Sequence, residues 1–296
     1  MSAVAQDAGR RAPATRAVRS GPGDVAVASV SHVLLGILSV IVIVPFLWVL
    51  LSSFKTSKEI LASPFSLPQH WQFVNYAKAW TDSGIGQFYL NTIVVVVSAL
   101  VIVMLLGAMC AYVLARFKFF GARAIYYLML AGLTFPVFLA IVPLFFVLKN
   151  MGLLNTLPGL VLTYVAFALP FTVFFLYSFF RSLPDDVYEA ALIDGAGDWR
   201  AFFQVMLPMA RPGMASVAIF NFLGLWNQFL LPVALNTDQS NYVLTQAMAS
   251  FASQAGYAVD YGALFAAVVM TVIPVLIVYV IFQRTLSGSV SQGTFR

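Results

Sequence analysis

Apolar residues along this chain come in long uninterrupted runs rather than at strand or one-sided helical spacing. Six such runs cover residues 29–51, 89–115, 124–148, 158–180, 213–235 and 261–282. A helix rising ~1.5 Å per residue needs about 20 apolar residues to cross a ~30 Å hydrocarbon layer, and each run is long enough. The pattern predicts an all-α integral membrane protein of six transmembrane helices. Prolines fall inside the runs, at Pro45, Pro136, Pro143, Pro170, Pro232 and Pro274. In lipid such prolines are tolerated as bends, because neighbouring helices satisfy the freed carbonyls; a gating hinge is the alternative at each.

Composition agrees with lipid as the solvent. The 296 residues are 61% hydrophobic and only 9% charged, with a mean hydropathy of +0.91. Soluble domains carry about 25% charged residues to present a hydrated surface, and this chain cannot. Its net charge of +5 does not point to nucleic acid, since the basic residues are not clustered with exposed aromatics. The single cysteine, Cys110, lies within an apolar run and rules out a disulfide inside the chain. With only His32 and His70 beside it, no zinc site can be built, and no cofactor is expected.

Charge between the runs sets orientation, because Lys and Arg are retained on the cytoplasmic side. One set of segments holds Arg10, Arg11, Arg16, Arg19, Arg116, Lys118, Arg123, Arg181, Arg200, Arg211, Arg284 and Arg296, twelve of the sixteen basic residues. The alternate set holds Lys55, Lys58, Lys78 and Lys149. Both termini and the 181–212 loop are therefore expected in the cytoplasm, with the chain in the cytoplasmic membrane. Residues 1–28 read as a disordered cytoplasmic tail, 29–283 as the six-helix domain and 284–296 as a second cytoplasmic tail. The apolar stretch after the tail is too long for a signal-peptide core, and the Arg10–Arg11 pair lies too far from it for a twin-arginine signal.

All eleven carboxylates fall outside the runs or at their borders. A charge at mid-membrane costs at least ~2.5–3.5 kcal/mol on insertion scales and is kept where it carries protons or ions. A proton-coupled carrier is disfavoured on this ground, although a sodium-coupled carrier using backbone carbonyls stays open. The chain also lacks a G-x-x-x-x-G-K-[ST] phosphate loop; Gly195-Ala-Gly197 has no lysine following. No catalytic cluster gathers on one side of the membrane. The expectation is a transport subunit without an ATPase site of its own.

The 181–212 loop is the most informative segment. Pro184, Asp185 and Asp186 open a helix with negative charge at the positive end of its dipole. Val187 through Leu192 continue it, and Gly195 and Gly197 supply the freedom for a turn. A second helical pattern runs from Asp198 through Trp199, Phe202, Phe203 and Val205 to Leu207, ended by Pro208. The reading is a helix–turn–helix with small alanines exposed near its tip, where another protein can approach closely; an amphipathic interfacial pair without a partner is the alternative.

Glu189, Ala190, Ala191, Gly195, Leu207 and Pro208 fit the E-A-A-x-x-x-G-x(9)-I-x-L-P pattern of importer-type ABC permeases, with Val205 in place of the Ile. Further pieces resemble the second permease of maltose-type sugar importers: F-L-W-V-L-L-S-S-F-K at 46–55, Asn91-Thr92, Ala111-Tyr112 before Arg116, and W-N-Q-F-L-L-P at 226–232, where Gln228 replaces the usual acid. The resemblance implies the type I ABC importer permease fold. It makes 184–199 a cytoplasmic coupling helix that docks on a separate ATPase through Glu189, Ala190, Ala191, Asp194 and Gly195. The implied partners are a second homologous permease, two ATP-binding subunits, an extracytoplasmic solute-binding lipoprotein and a carbohydrate, all assembled in the lipid bilayer.

Candidates for the substrate path are Asn91, Asn221, Trp226, Asn227 and Gln228, with Tyr164 as a further stacking plane; hydrogen bonding between helices is the other reading for each. The external loop 236–260 has no Lys or Arg. By resemblance it reaches into the binding protein, and otherwise it is a re-entrant or capping segment. Competing functions are an ABC permease for glycerol phosphate, polyamine or peptide, and an ion-coupled carrier working alone.

Overall fold

The computed structural model describes residues 22–82, 84–253 and 260–292. It divides into two compact units, Met1–Trp48 and Val49–Arg296. The first carries most of α1 (Pro22–Ser52), which contains Pro45. The helix starts ahead of residue 29 because Pro22 stands in its first turn, where a missing N–H is harmless. Residues 22–28 are thus helical rather than tail, and the rest of the expected N-terminal tail lies outside the described residues.

In the second unit, α2 (Ser57–Ala62) and α3 (Val74–Thr81) are short and precede α4 (Ile85–Arg116). The third apolar run is broken into α5 (Ala122–Thr134) and α6 (Val137–Asn150), whose axes differ by 108°. The cause is Pro136, which forces the preceding Phe135 out of helical geometry (φ −72°, ψ 121°). Next comes α7 (Leu157–Ser182), whose first turn is capped by the Thr156 hydroxyl accepting from the Gly159 amide. The following loop holds α8 (Asp185–Ile193), α9 (Asp198–Ala201), a π-turn (Phe202–Met206) and α10 (Leu207–Met209).

The fifth run is also split, into α11 (Arg211–Trp226) and α12 (Leu230–Leu235). Pro232 has no N–H to return to the Gln228 carbonyl, and that carbonyl instead accepts from the Thr245 hydroxyl at 2.7 Å. A 3₁₀ turn (Gln239–Asn241) leads to α13 (Leu244–Ser253), and α14 (Tyr261–Gln292) ends the described chain. Residues 284–292, expected as tail, continue α14. All six apolar runs are helical, but among the described residues four helices alone are long and apolar enough to span a membrane, or five with the bent α5–α6 pair.

Helices α4 and α7 form the spine of the second unit. Ala99, Val103 and Ala111 on α4 and Val173, Leu176 and Phe180 on α7 are fully enclosed. Their backbones come close because Gly107 faces Thr172: a Cβ there would lie 2.4 Å from the Thr172 Cγ2. Gly213 does the same for α11 against Phe179, and Gly132 for α5 against Pro170. Small residues at such crossings replace the hydrophobic drive that lipid does not supply.

At the end carrying α2 and α3, the buried Lys55 donates its Nζ to the carbonyls of Ser63 and Pro64 at 3.1 and 3.2 Å, a cation set against the C-terminus of α2. Lys78 pairs with Asp260 at 3.0 Å. Partial burial pushes the Asp260 carboxyl up, but hydrogen bonds from Lys78, the Ala263 amide and Ser57 outweigh it and hold it below its ordinary value.

Candidate functional site

Two regions are candidates for function, one at the 181–212 loop and one within the helices. In the loop, Pro184 stands immediately before α8, and Gly195 at φ +82° ends it. The Ala196 amide donates to the Ala191 carbonyl and the Gly195 amide to the Leu192 carbonyl, both at 3.0 Å. This is the double bond of a Schellman stop, which needs a left-handed residue at the glycine position. Gly197 has φ −72° and opens α9 in extended geometry, so only Gly195 requires glycine's freedom.

The second half of the loop departs from the expected helix ended by Pro208. Helix α9 lasts four residues, and the π-turn then lets the Leu207 amide reach back to the Phe202 carbonyl. One extra residue in the ring places Pro208 in the first turn of α10, where its lost donor is tolerated. Such π-insertions are frequent at functional sites.

The loop is fastened to the ends of α4 and α7 by an aromatic cluster. The Tyr112 ring lies 4.9 Å from Phe202, 5.6 Å from Phe180 and 6.5 Å from Tyr188. The Tyr188 hydroxyl donates to Asp198 at 3.0 Å, bridging α8 and α9. Partial burial, and then this bond, push the Tyr188 phenol up from its ordinary value, so it stays a donor. Arg116, the last residue of α4, pairs with Asp185 and donates to the Leu183 carbonyl at 2.6 Å. Its side chain is 5% exposed while that of Asp185 is 80% exposed.

What the fastened loop presents outward is Glu189, Ala190, Asp194 and Gly195, together with Ile193 (86% exposed) and Trp199 (67% exposed). Ala191 was expected among the exposed alanines and is instead buried, on a helix that packs against α9 and the π-turn. In the sequence Arg116 counted as a topological charge and, after Ala111-Tyr112, as part of the family resemblance, but neither it nor Tyr112 or Tyr188 was singled out as a fastener. A lone Arg closing an apolar helix, followed by Asp at a proline-led helix start, was the available signal.

The second region is a cavity of about 390 Å³ among α5, α7 and α11, within the ~300–1,000 Å³ range of small-molecule sites. It lies beside both breaks: Phe135 and Val137 flank the α5–α6 bend, and Gln228 and Leu231 flank the α11–α12 break. Non-helical backbone at membrane depth is tolerated where it lines such a space. Phe167, Phe171 and Phe220 supply aromatic faces, and Tyr164, Asn221 and Gln228 supply polar atoms. Asn221 donates to Thr172 Oγ1 at 2.8 Å; among the described residues its Oδ1 has no donor. Among the described residues no charged side chain lines the space.

The other substrate-path candidates lie elsewhere. Asn91 donates to the carbonyls of Ser240 and Tyr242, both at 3.0 Å, and so holds the 236–260 loop. Trp226 is buried with its indole on the Thr271 carbonyl, and Asn227 turns back onto the Leu223 carbonyl at 2.9 Å. In each case the donor is taken up by a backbone carbonyl, that of Ser240 or Tyr242 in a loop, Thr271 within α14 and Leu223 within α11. The described part of the 236–260 loop folds onto α4, with the Leu244 amide on Thr92 Oγ1 at 2.7 Å; residues 254–259 lie outside the described part.

Residues 103–292 match the family described as "Binding-protein-dependent transport system inner membrane component". The chain is 78% identical over 269 residues to the diacetylchitobiose uptake system permease protein NgcG of Streptomyces coelicolor, covering 91% of this chain and 89% of that protein. It is 32% identical to the trehalose transport system permease protein SugB of Mycobacterium tuberculosis, over 86% and 92% of the two chains. Its fold matches a crystal structure of a bacterial ABC transporter that imports the acidic polysaccharide alginate, with TM-score 0.79, 22% identity and coverage of 89% and 98%. With the exposed hairpin, the aromatic fastening and an uncharged cavity between broken helices, these matches place the chain in the family of inner-membrane components of binding-protein-dependent transport systems, the permease subunits of ABC importers.

Proposed function

We propose that this permease passes a neutral amino-sugar oligosaccharide, of the diacetylchitobiose kind, and is driven by a separate ATPase docked on residues 184–199. The observation that carries the reading is the pairing of an uncharged, aromatic-walled cavity with a hairpin whose Glu189, Ala190, Ile193 and Asp194 face outward, exposed, while its other side is fastened to the helix ends. An acetylated disaccharide offers hydroxyl and acetamido groups to Asn221, Gln228 and Tyr164 and apolar ring faces to the phenylalanines. The absence of any lining charge fits a neutral cargo better than a phosphate ester or polyamine. The relationship to the Streptomyces permease supports the choice of sugar.

In this reading both termini and the hairpin are cytoplasmic, a second permease completes the pore, and a binding protein outside delivers cargo. Closure of two ATPase subunits moves the docked α8, and the fastened ends of α4 and α7 move with it, switching the cavity from outward to inward access. ATP is bound and hydrolysed by the docked subunits alone.

The test is Glu189→Lys in the assembled transporter. Membrane insertion should be unchanged, while co-purification of the ATPase weakens and uptake of labelled diacetylchitobiose is abolished. Normal uptake by the variant would refute docking through α8.

A further inference from the structure

A third cavity, of about 570 Å³, has no part in the mechanism above. It lies where α4 ends, α5 begins and α7 ends, and Lys118, Arg123, Arg181, Tyr126, Tyr127 and Tyr177 are among its walls. The three cations are exposed, and none is paired with a carboxylate among the described residues. Arg181 is pre-oriented: it donates to the Tyr177 hydroxyl at 2.8 Å, with its guanidinium carbon 5.9 Å from that ring. Gly121 and Ala122 also line the space, at the start of α5. That helix has no side-chain cap, and the Arg123 and Ala124 amides have no acceptor among the described residues. Free first-turn amides and the positive end of a helix dipole form an anion seat, and here three cations line the same cavity.

We propose that this cavity binds the phosphodiester headgroup of an anionic phospholipid of the cytoplasmic leaflet. A lipid fits better than a free phosphate because the seat stands at the ends of three apolar helices, with Phe120 and Leu128 exposed beside it. A soluble anion has no use for those side chains, whereas acyl chains and the aromatic interface do. Leaflet assignment rests on the proposed topology; the binding itself does not.

The test is lipid titration of the delipidated, full-length chain in detergent, followed by native mass spectrometry. Phosphatidylglycerol should be retained at one site in preference to phosphatidylcholine. The double variant Arg123→Gln/Arg181→Gln should weaken that retention by about tenfold or more, each lost cation near an anionic headgroup contributing a similar share. Lys149→Gln, which removes one cation elsewhere, should leave it intact, and the variants' elution profiles report folding. Equal retention by the wild type and the double variant overturns the proposal. Displacement of the lipid by submillimolar inorganic phosphate overturns the lipid assignment and gives the seat to a soluble anion. Labelling of Lys118→Cys in a Cys110→Ser background by an impermeant reagent, in sealed right-side-out vesicles, tests the leaflet separately.

Discussion

Arg116 is nearly enclosed, with its Nε buried and unpartnered, yet its charge is answered by a carboxylate standing in the open. The bond to the Leu183 carbonyl therefore matters more than the ion pair, since exposed pairs are screened while a charge-assisted bond to a buried group is worth ~1.5–3 kcal/mol. Arg116→Gln should leave the chain in the membrane and still able to bind the ATPase. It should unfasten the start of α8, seen as faster proteolysis within 183–195 and at least a severalfold loss of uptake per ATP hydrolysed. Unchanged coupling would leave the aromatic cluster as the sole fastener. The asparagines divide in the same way. Asn221→Ala should raise the sugar concentration needed for half-maximal transport, whereas Asn91→Ala should loosen the 236–244 loop without changing which sugars compete. Both residues looked alike in the sequence as polar groups near apolar runs. What separated them was which backbone carbonyls lay within reach, and that depends on loop geometry no local pattern encodes.

Among elements, the α4–α7 crossing sets the frame on which both functional regions hang. Gly107 sits where no side chain fits beside Thr172, so Gly107→Leu must part the two helices. Overpacking of this kind costs ~1–3 kcal/mol, and the purified variant should show a lowered Tm together with reduced uptake. An unchanged Tm would mean that the crossing is loose. The six helical runs were legible because apolar length alone dictates a helix in lipid. The start, stop and turn of α8 were legible too, since Pro184, the paired aspartates and Gly195 each have a local backbone reason. The two breaks were not foreseen: a proline within an apolar run fits a gentle bend or a sharp break, and the choice is made by whether a neighbour such as Thr245 is placed to take the freed carbonyl. The π-turn before Pro208 is invisible for the same reason, because it depends on where the proline falls relative to the aromatic cluster.

For the molecule as a whole, the described lining of the cavity carries no charge and the hairpin stands exposed, which supports the proposal that energy is supplied by a separate ATPase. Among the described residues no carboxylate or ammonium group lines the cavity to follow an ion gradient, and on the proposed function the work enters through α8. The direct measurement uses the assembled transporter in proteoliposomes with its binding protein outside, ATP inside and labelled diacetylchitobiose as cargo. Sugar should accumulate when ionophores collapse the proton and sodium gradients, and should stop when ATP is withheld. Accumulation that follows the ion gradient and ignores ATP would contradict the account.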